Sequence, residues 1–238
     1  WNRTAIDASG LDHTKPAPGD PRIFGQQLGP VRAIRAIAIV QIAVFDAINA
    51  IEGKYKSYTG LPRTRGDASI KAAISQASHD TLVSLFSSQA AAFDAQLADD
   101  LRHLNNNQST RNGLELGRRA AARILALRAN DGSQHPEPLM GIDHITSDAP
   151  GKWRQDPISL IPIAMGAYWG KVEPFVIRSS SQFRAPQPPR LDSPEYTTAY
   201  DEAKRLGGDG EPDGTPTERT ADQTETGIFW AYDGTPSL

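Results

Sequence analysis

The segment opened by Gly29-Pro30 constrains this chain more than any other. Val31, Ile34, Ala38, Ile42, Phe45 and Ile48 recur at spacings of three and four, and Ile37, Ile39, Val40 and Val44 fill the remaining faces. A helix that is apolar nearly all round has to be enclosed by other elements, so the pattern predicts a buried helix and an all-α fold around it. Proline suits its first turn, where the N–H that proline lacks would have no partner. The most apolar stretch, 36–45, is only about ten residues and contains Gln41, against the roughly 18 that a membrane span needs. No transmembrane helix is predicted, and the chain is read as soluble.

Further helices follow from the same period. Asp67 is placed to cap one that runs to Phe86 through Ile70, Ile74, Ala77, Leu82 and Leu85. A third runs from Gln89 to Leu104 with Phe93, Leu97, Leu101 and Leu104 on one stripe, and a fourth starts at Ser109 or Thr110 and reaches Ala129. Their alanine-rich stretches favour close helix packing. These elements make residues 30–129 a four-helix core region. Before it, Pro16, Pro18, Pro21 and Pro30 among glycines predict an extended arm over 1–29. After it, residues 130–190 are rich in proline, carry Trp153, Trp169, Phe175 and Phe183, and lack any sustained period. A structureless loop of that length is improbable in a compact domain, so the segment is expected to wrap the helices, anchored by its aromatics. In 191–238, Ser193-Pro194 and Gly207 bracket a helix with Tyr196, Ala199, Tyr200, Ala203 and Leu206 facing inward. Thr220 and Gln223 form a capping box for a last helix running into Ile228, Phe229 and Trp230. The expectation is a helical bundle of about six helices with a long proline-rich wrapping segment.

Composition narrows the chemistry. The 238 residues carry 25 Lys+Arg against 28 Asp+Glu, a net charge of −3, and no cysteine. Disulfides, thiolate nucleophiles and Cys-ligated metals are excluded within the chain. The near-neutral balance offers no electrostatic reason to bind nucleic acid or an anionic membrane. No dinucleotide-binding or phosphate-loop glycine pattern, zinc-protease motif or serine-hydrolase elbow occurs. His13, His79, His103, His135 and His144 are far apart in sequence, which disfavours a metal site, and the neighbours Asp143 and His144 read as loop residues rather than an acid–base pair.

Polar residues inside the apolar helix are more informative. Arg32 and Arg35 lie near its N-terminus, where the helix dipole disfavours cations, so something acidic should compensate them. Asp46 and Asn49, three apart on one face, also need partners if buried. Two readings stand: an internal network joining helices, or an anion site faced by Arg32 or Arg35. Near the end of the chain, Trp230-Ala231-Tyr232-Asp233-Gly234 sets a carboxylate after two large aromatics, where burial calls for a compensating Arg or Lys.

Together several segments resemble the N-terminal half of vanadium-dependent haloperoxidases. They are Trp1-Asn2 with Leu11-Asp12-His13-Thr14, the run from Gly29 to Ala36, Phe45-Asp46-Ala47, and Thr220-x-x-Gln223 through Gly234. The resemblance spans essentially the whole chain in order. It implies the helical fold shared with type 2 phosphatidic acid phosphatases, of which this chain would be half. It also implies a vanadate cofactor, on which peroxide is polarised so that a halide attacks oxygen, with the protein supplying charge stabilisation and positioning. The family's oxyanion-binding Arg-Pro, Ser-Gly-His and Ser-Arg motifs do not occur here, so the vanadate ligands would lie outside this chain. By the same resemblance Asp233 would pair with an anion-binding arginine outside the chain, and Pro30 would line the substrate entrance. The implied partners are a complementary C-terminal catalytic segment and further copies of the protein. Acid phosphatase activity on the same fold, or a non-catalytic helical scaffold, are the alternatives. The compartment stays open, a secreted or periplasmic protein with its signal removed being compatible with the sequence.

Overall fold

Gly29 adopts φ +93°, a conformation that L side chains rarely take, and it turns the chain directly into the first turn of the central helix at Pro30. The computed structural model describes residues 1–157 and 160–230. Among these residues it contains seven α-helices: α1 (Asn2–Asp12), α2 (Pro30–Glu52), α3 (Ile70–Leu85), α4 (Ala90–Arg102), α5 (Gln108–Arg128), α6 (Pro194–Leu206) and α7 (Ala221–Trp230). Two short 3-10 turns, Ser87–Gln89 and Trp169–Lys171, and two isolated β-bridges complete the regular structure described. The fold is all-α, as the periodicity predicts. The chain divides into two units, Trp1–His135 and Pro136–Leu238.

The first unit is a bundle in which α3 packs most extensively on α5, then on α2. Its core is built from small residues at the crossings, Ala36, Ala43, Ala47, Ala72, Ala73, Ala77, Ala120 and Ala121, with Ile39, Val40, Leu82, Phe86, Phe93 and Ile124 between them. Small side chains let the backbones approach closely. Gly113 and Gly117 take this to its limit, since a Cβ at either would lie within 2.6 Å of a carbonyl oxygen, that of Ser69 capping α3 or of Ala73 within it.

Several local expectations are corrected. Residues 2–12 are helical, because the prolines of the supposed arm begin only at Pro16, and Ala5 and Ala8 give the helix a buried side. The cap of α3 is Ser69, whose Oγ accepts from Ala72 N at 3.3 Å, two residues beyond Asp67. Asn107 caps α5 by accepting from Thr110 N at 2.9 Å. α2 buries one side only: Ala36, Ile39, Val40, Ala43, Ala47 and Ala50 are enclosed, whereas Ile34 is 69% exposed. By length and apolarity α2 would pass for a membrane span. Its buried Asp46 and Asn49 instead bond to the following loop of the bundle.

In the second unit, Glu137 is the organising residue of the proline-rich segment, accepting from Gly166 N at 2.9 Å and from Trp169 Nε1 at 2.8 Å. Ser193 caps α6 by accepting from Tyr196 N at 3.2 Å, as the Ser-Pro pair predicts. The Thr220 and Gln223 capping box forms reciprocally, at 2.9 and 3.2 Å. Neither α6 nor α7 buries a residue, so the inward face expected for Tyr196, Ala199, Tyr200, Ala203 and Leu206 is not enclosed.

Candidate functional site

The helix-borne charges converge on one corner of the first unit, where α2 begins and α5 ends. Arg35 donates from Nε to Asp131 Oδ2 at 2.8 Å and from Nη2 to the Arg128 carbonyl at 2.9 Å. Arg128 is itself buried and donates to the Tyr58 hydroxyl at 2.6 Å. Arg32 donates to the carbonyls of Ser133 and His135. The acid that Arg35 required is therefore Asp131, three residues past the end of α5, while Arg32 is answered by backbone carbonyls. Its side chain is fully enclosed and that of Arg35 is 11% exposed.

Burial alone would raise the Asp131 carboxyl. Hydrogen bonds from Arg35 and from the Ser133 side chain and N–H, with the charge of Arg35, outweigh it and hold the carboxyl below the usual carboxylate range. Asp131 is thus ionised at neutral pH. Both arginines are committed to oxygens of their own chain. Of the two readings open from the sequence, the internal network is the one observed.

Asp46 and Asn49 behave in the same way, respectively about two turns and one turn before the end of α2. Asp46 accepts from the Ser57 hydroxyl at 2.9 Å, Tyr58 N at 2.8 Å, Thr59 N at 2.8 Å and the Thr59 hydroxyl at 2.6 Å. Asn49 donates to the Tyr55 carbonyl and accepts from Tyr55 N, both at 2.8 Å. These two side chains shape the whole turn from 55 to 59.

Asp12 and His13 do comparable work for the loop before α2. Asp12 is buried and accepts from Gln26 N and Gln27 N, each at 2.8 Å. His13 Nε2 accepts from Gly29 N at 3.0 Å, which places the ring proton on Nδ1, 2.8 Å from the Ser9 carbonyl. His79 bridges α3 and α4, with Nδ1 2.8 Å from Asp80 and Nε2 2.7 Å from Asp94. Asp143 accepts from Leu139 N within its own turn, and His144 meets the Trp153 ring edge-on at 5.8 Å, so these neighbours take separate structural parts.

Asp100 lies in a depression of about 290 Å³ with Ser75, Lys71 and His103. Burial pushes its carboxyl up, but the Ser75, Trp1 and Gln96 side chains donating to it prevail and lower it.

Of the two residues carried over by family resemblance, only Pro30 lies among the described residues. Pro30 is exposed at the first turn of α2. Asp233 lies outside the described residues, as does the rest of the aromatic-flanked run beyond Trp230. Arg32 and Arg35, for which an anion site was the alternative reading, are engaged by Asp131 and by carbonyls and offer no oxyanion ligand. Asp131 and Arg128 were not singled out from the sequence; the only signal for them was the demand of Arg32 and Arg35 for an acidic partner. Comparison of the chain with protein-family models, curated proteins and solved structures gives no match.

Proposed function

We propose that this chain is the N-terminal helical part of a vanadate-dependent haloperoxidase, with the groups that hold the oxyanion lying on a complementary catalytic segment outside it. The observation that carries the reading, beside the sequence resemblance, is the surface of the second unit. Among its described residues only Pro138, Ala164 and Gly208 are buried, while Val176, Phe183, Ile228, Phe229 and Trp230 are each at least 70% exposed. Isolated exposed apolar residues are ordinary, but a unit without an apolar core needs a partner surface. A complementary segment, in an assembly of several copies, would supply it.

In this reading the present chain contributes structure: the α2 bundle and its buried ion-pair network form a rigid support. Asp233 would stand against an arginine of the complementary segment, and Pro30 would border the substrate entrance. No catalytic step is assigned to the described residues.

The test is made on the protein purified from its source. Intact mass is measured, and halogenation of a phenol dye with peroxide, halide and vanadate is assayed beside hydrolysis of an aryl phosphate. Vanadate-dependent halogenation by a species or complex larger than 25.8 kDa is the expected result. Phosphate release without halogenation would replace the reading by acid phosphatase. A lone 25.8 kDa species inactive in both assays would leave a helical scaffold.

A further inference from the structure

Asn49 is buried and both polar atoms of its side chain are spent on the backbone of Tyr55, yet the Tyr55 side chain so placed is 72% exposed. The ring stands at the mouth of a cavity of about 430 Å³ in the first unit, whose apolar walls are Phe45, Ile48 and Ile70. That volume falls within the roughly 300–1,000 Å³ of small-molecule sites. The Phe45 and Tyr55 ring centroids are 6.2 Å apart and inclined at 44°, a tilted pair at the cavity wall. Phe45 is itself 37% exposed. At the rim, Lys54 and Glu52 pair at 2.9 Å and cancel each other's charge.

From this geometry we propose that the cavity between the end of α2 and the start of α3 binds an uncharged, flat aromatic molecule of one or two rings, held against Phe45 and Tyr55. Apolar walls that include two partly exposed aromatic rings favour a planar π-system, which gains from offset or edge-on contact beyond simple area burial. The paired Lys54 and Glu52 leave the cavity lining without an unpaired charge of its own. The Tyr55 hydroxyl, which bonds to none of the described residues, can meet one polar substituent on the ligand. The inference is independent of the haloperoxidase reading.

The test titrates the full 238-residue chain with naphthol, its saturated counterpart decahydronaphthol, and naphthoate, following the ring resonances of Phe45 and Tyr55 by NMR. Naphthol should bind saturably below millimolar concentration and shift both rings, with decahydronaphthol and naphthoate weaker. Phe45→Ala and Tyr55→Ala should each weaken naphthol roughly three- to tenfold, and Tyr55→Phe less than Tyr55→Ala. Far-UV circular dichroism confirms that each variant is folded; both replaced side chains are more than a third exposed. Absence of saturable binding, equal binding of decahydronaphthol, tighter binding of naphthoate, or undiminished affinity in both alanine variants would overturn the proposal.

Discussion

Gly117 on α5 lies so close to Ala73 on α3 that a Cβ at position 117 would sit 2.6 Å from the Ala73 carbonyl oxygen and 2.8 Å from Gln76 Cβ. Backbone is the obstacle there, so α3 and α5 would have to move apart. Gly117→Ala should destabilise the chain by about 1–3 kcal/mol through overpacking, although alanine is the better helix former. Gly10 in α1 has nothing within 4 Å of its would-be Cβ. Gly10→Ala should therefore stabilise by up to about 1 kcal/mol. Urea unfolding of the two variants gives opposite signs if the close approach is the reason for glycine at 117, and the same sign if it is not.

The Arg35 and Asp131 pair is enclosed, so removing Arg35 leaves the buried carboxylate with only Arg128, 4.0 Å away, as a cationic partner among the described residues. Arg35→Met should cost about 3–5 kcal/mol, and Arg35→Met combined with Asp131→Leu should restore stability only if Arg128, left without the carboxylate 4.0 Å away, is held by its Tyr58 hydrogen bond. Unfolding midpoints and the double-mutant cycle measure both. Anion affinity should be the same in wild type and Arg35→Met. A loss of vanadate or phosphate binding in the variant would restore Arg35 as an anion ligand.

Acid should expose the same pair. Asp131 and Asp100 both titrate below the ordinary carboxylate value in the folded chain. Each therefore contributes stability that is full above the unfolded-state value of about 3.9. That contribution is lost as the pH falls from there through the lower folded value, while the unfolded chain takes up protons that the folded chain does not. Stability should fall across this acidic window, and Asp131→Asn should flatten the slope. An unchanged slope would show that the carboxylate is not depressed.

Asp46 accepts four hydrogen bonds, two on each oxygen. Replacement by asparagine turns one acceptor into an NH2 that faces two donors, so Asp46→Asn should be nearly as harmful as Asp46→Ala, each costing on the order of 2–4 kcal/mol. Hydrogen exchange should show the amides of Tyr58 and Thr59 losing protection in both variants. Full protection in the asparagine variant would mean that charge and acceptor geometry do not hold this turn.

Ser78 is fully buried in α3, and its hydroxyl oxygen has no hydrogen-bond partner among the described residues. Ser78→Ala removes an unsatisfied group and improves helix propensity, so a gain of about 1 kcal/mol is expected. Thermal unfolding checks it, and a clear loss of stability would mean that the hydroxyl is bonded in solution.

The helices α2 to α7 were legible from sequence because periodicity, Ser-Pro and the capping box act within a few residues. The need of Arg32 and Arg35 for partners was equally legible, since the cost of an uncompensated cation at a helix N-terminus is local. The identity of those partners was not: Asp131 and the Ser133 and His135 carbonyls lie about a hundred positions away and meet the arginines only when α2 and α5 pack. The one-sided burial of α2 escaped for the same reason, because apolar periodicity states what a helix can bury and the neighbours settle what it does bury. Local chemistry in the sequence thus determined an all-α chain with charges that must be answered. The tertiary structure alone decided which oxygens answer them, and that Phe45 and Tyr55 line one cavity with Ile70 of α3, because both depend on how separate helices pack.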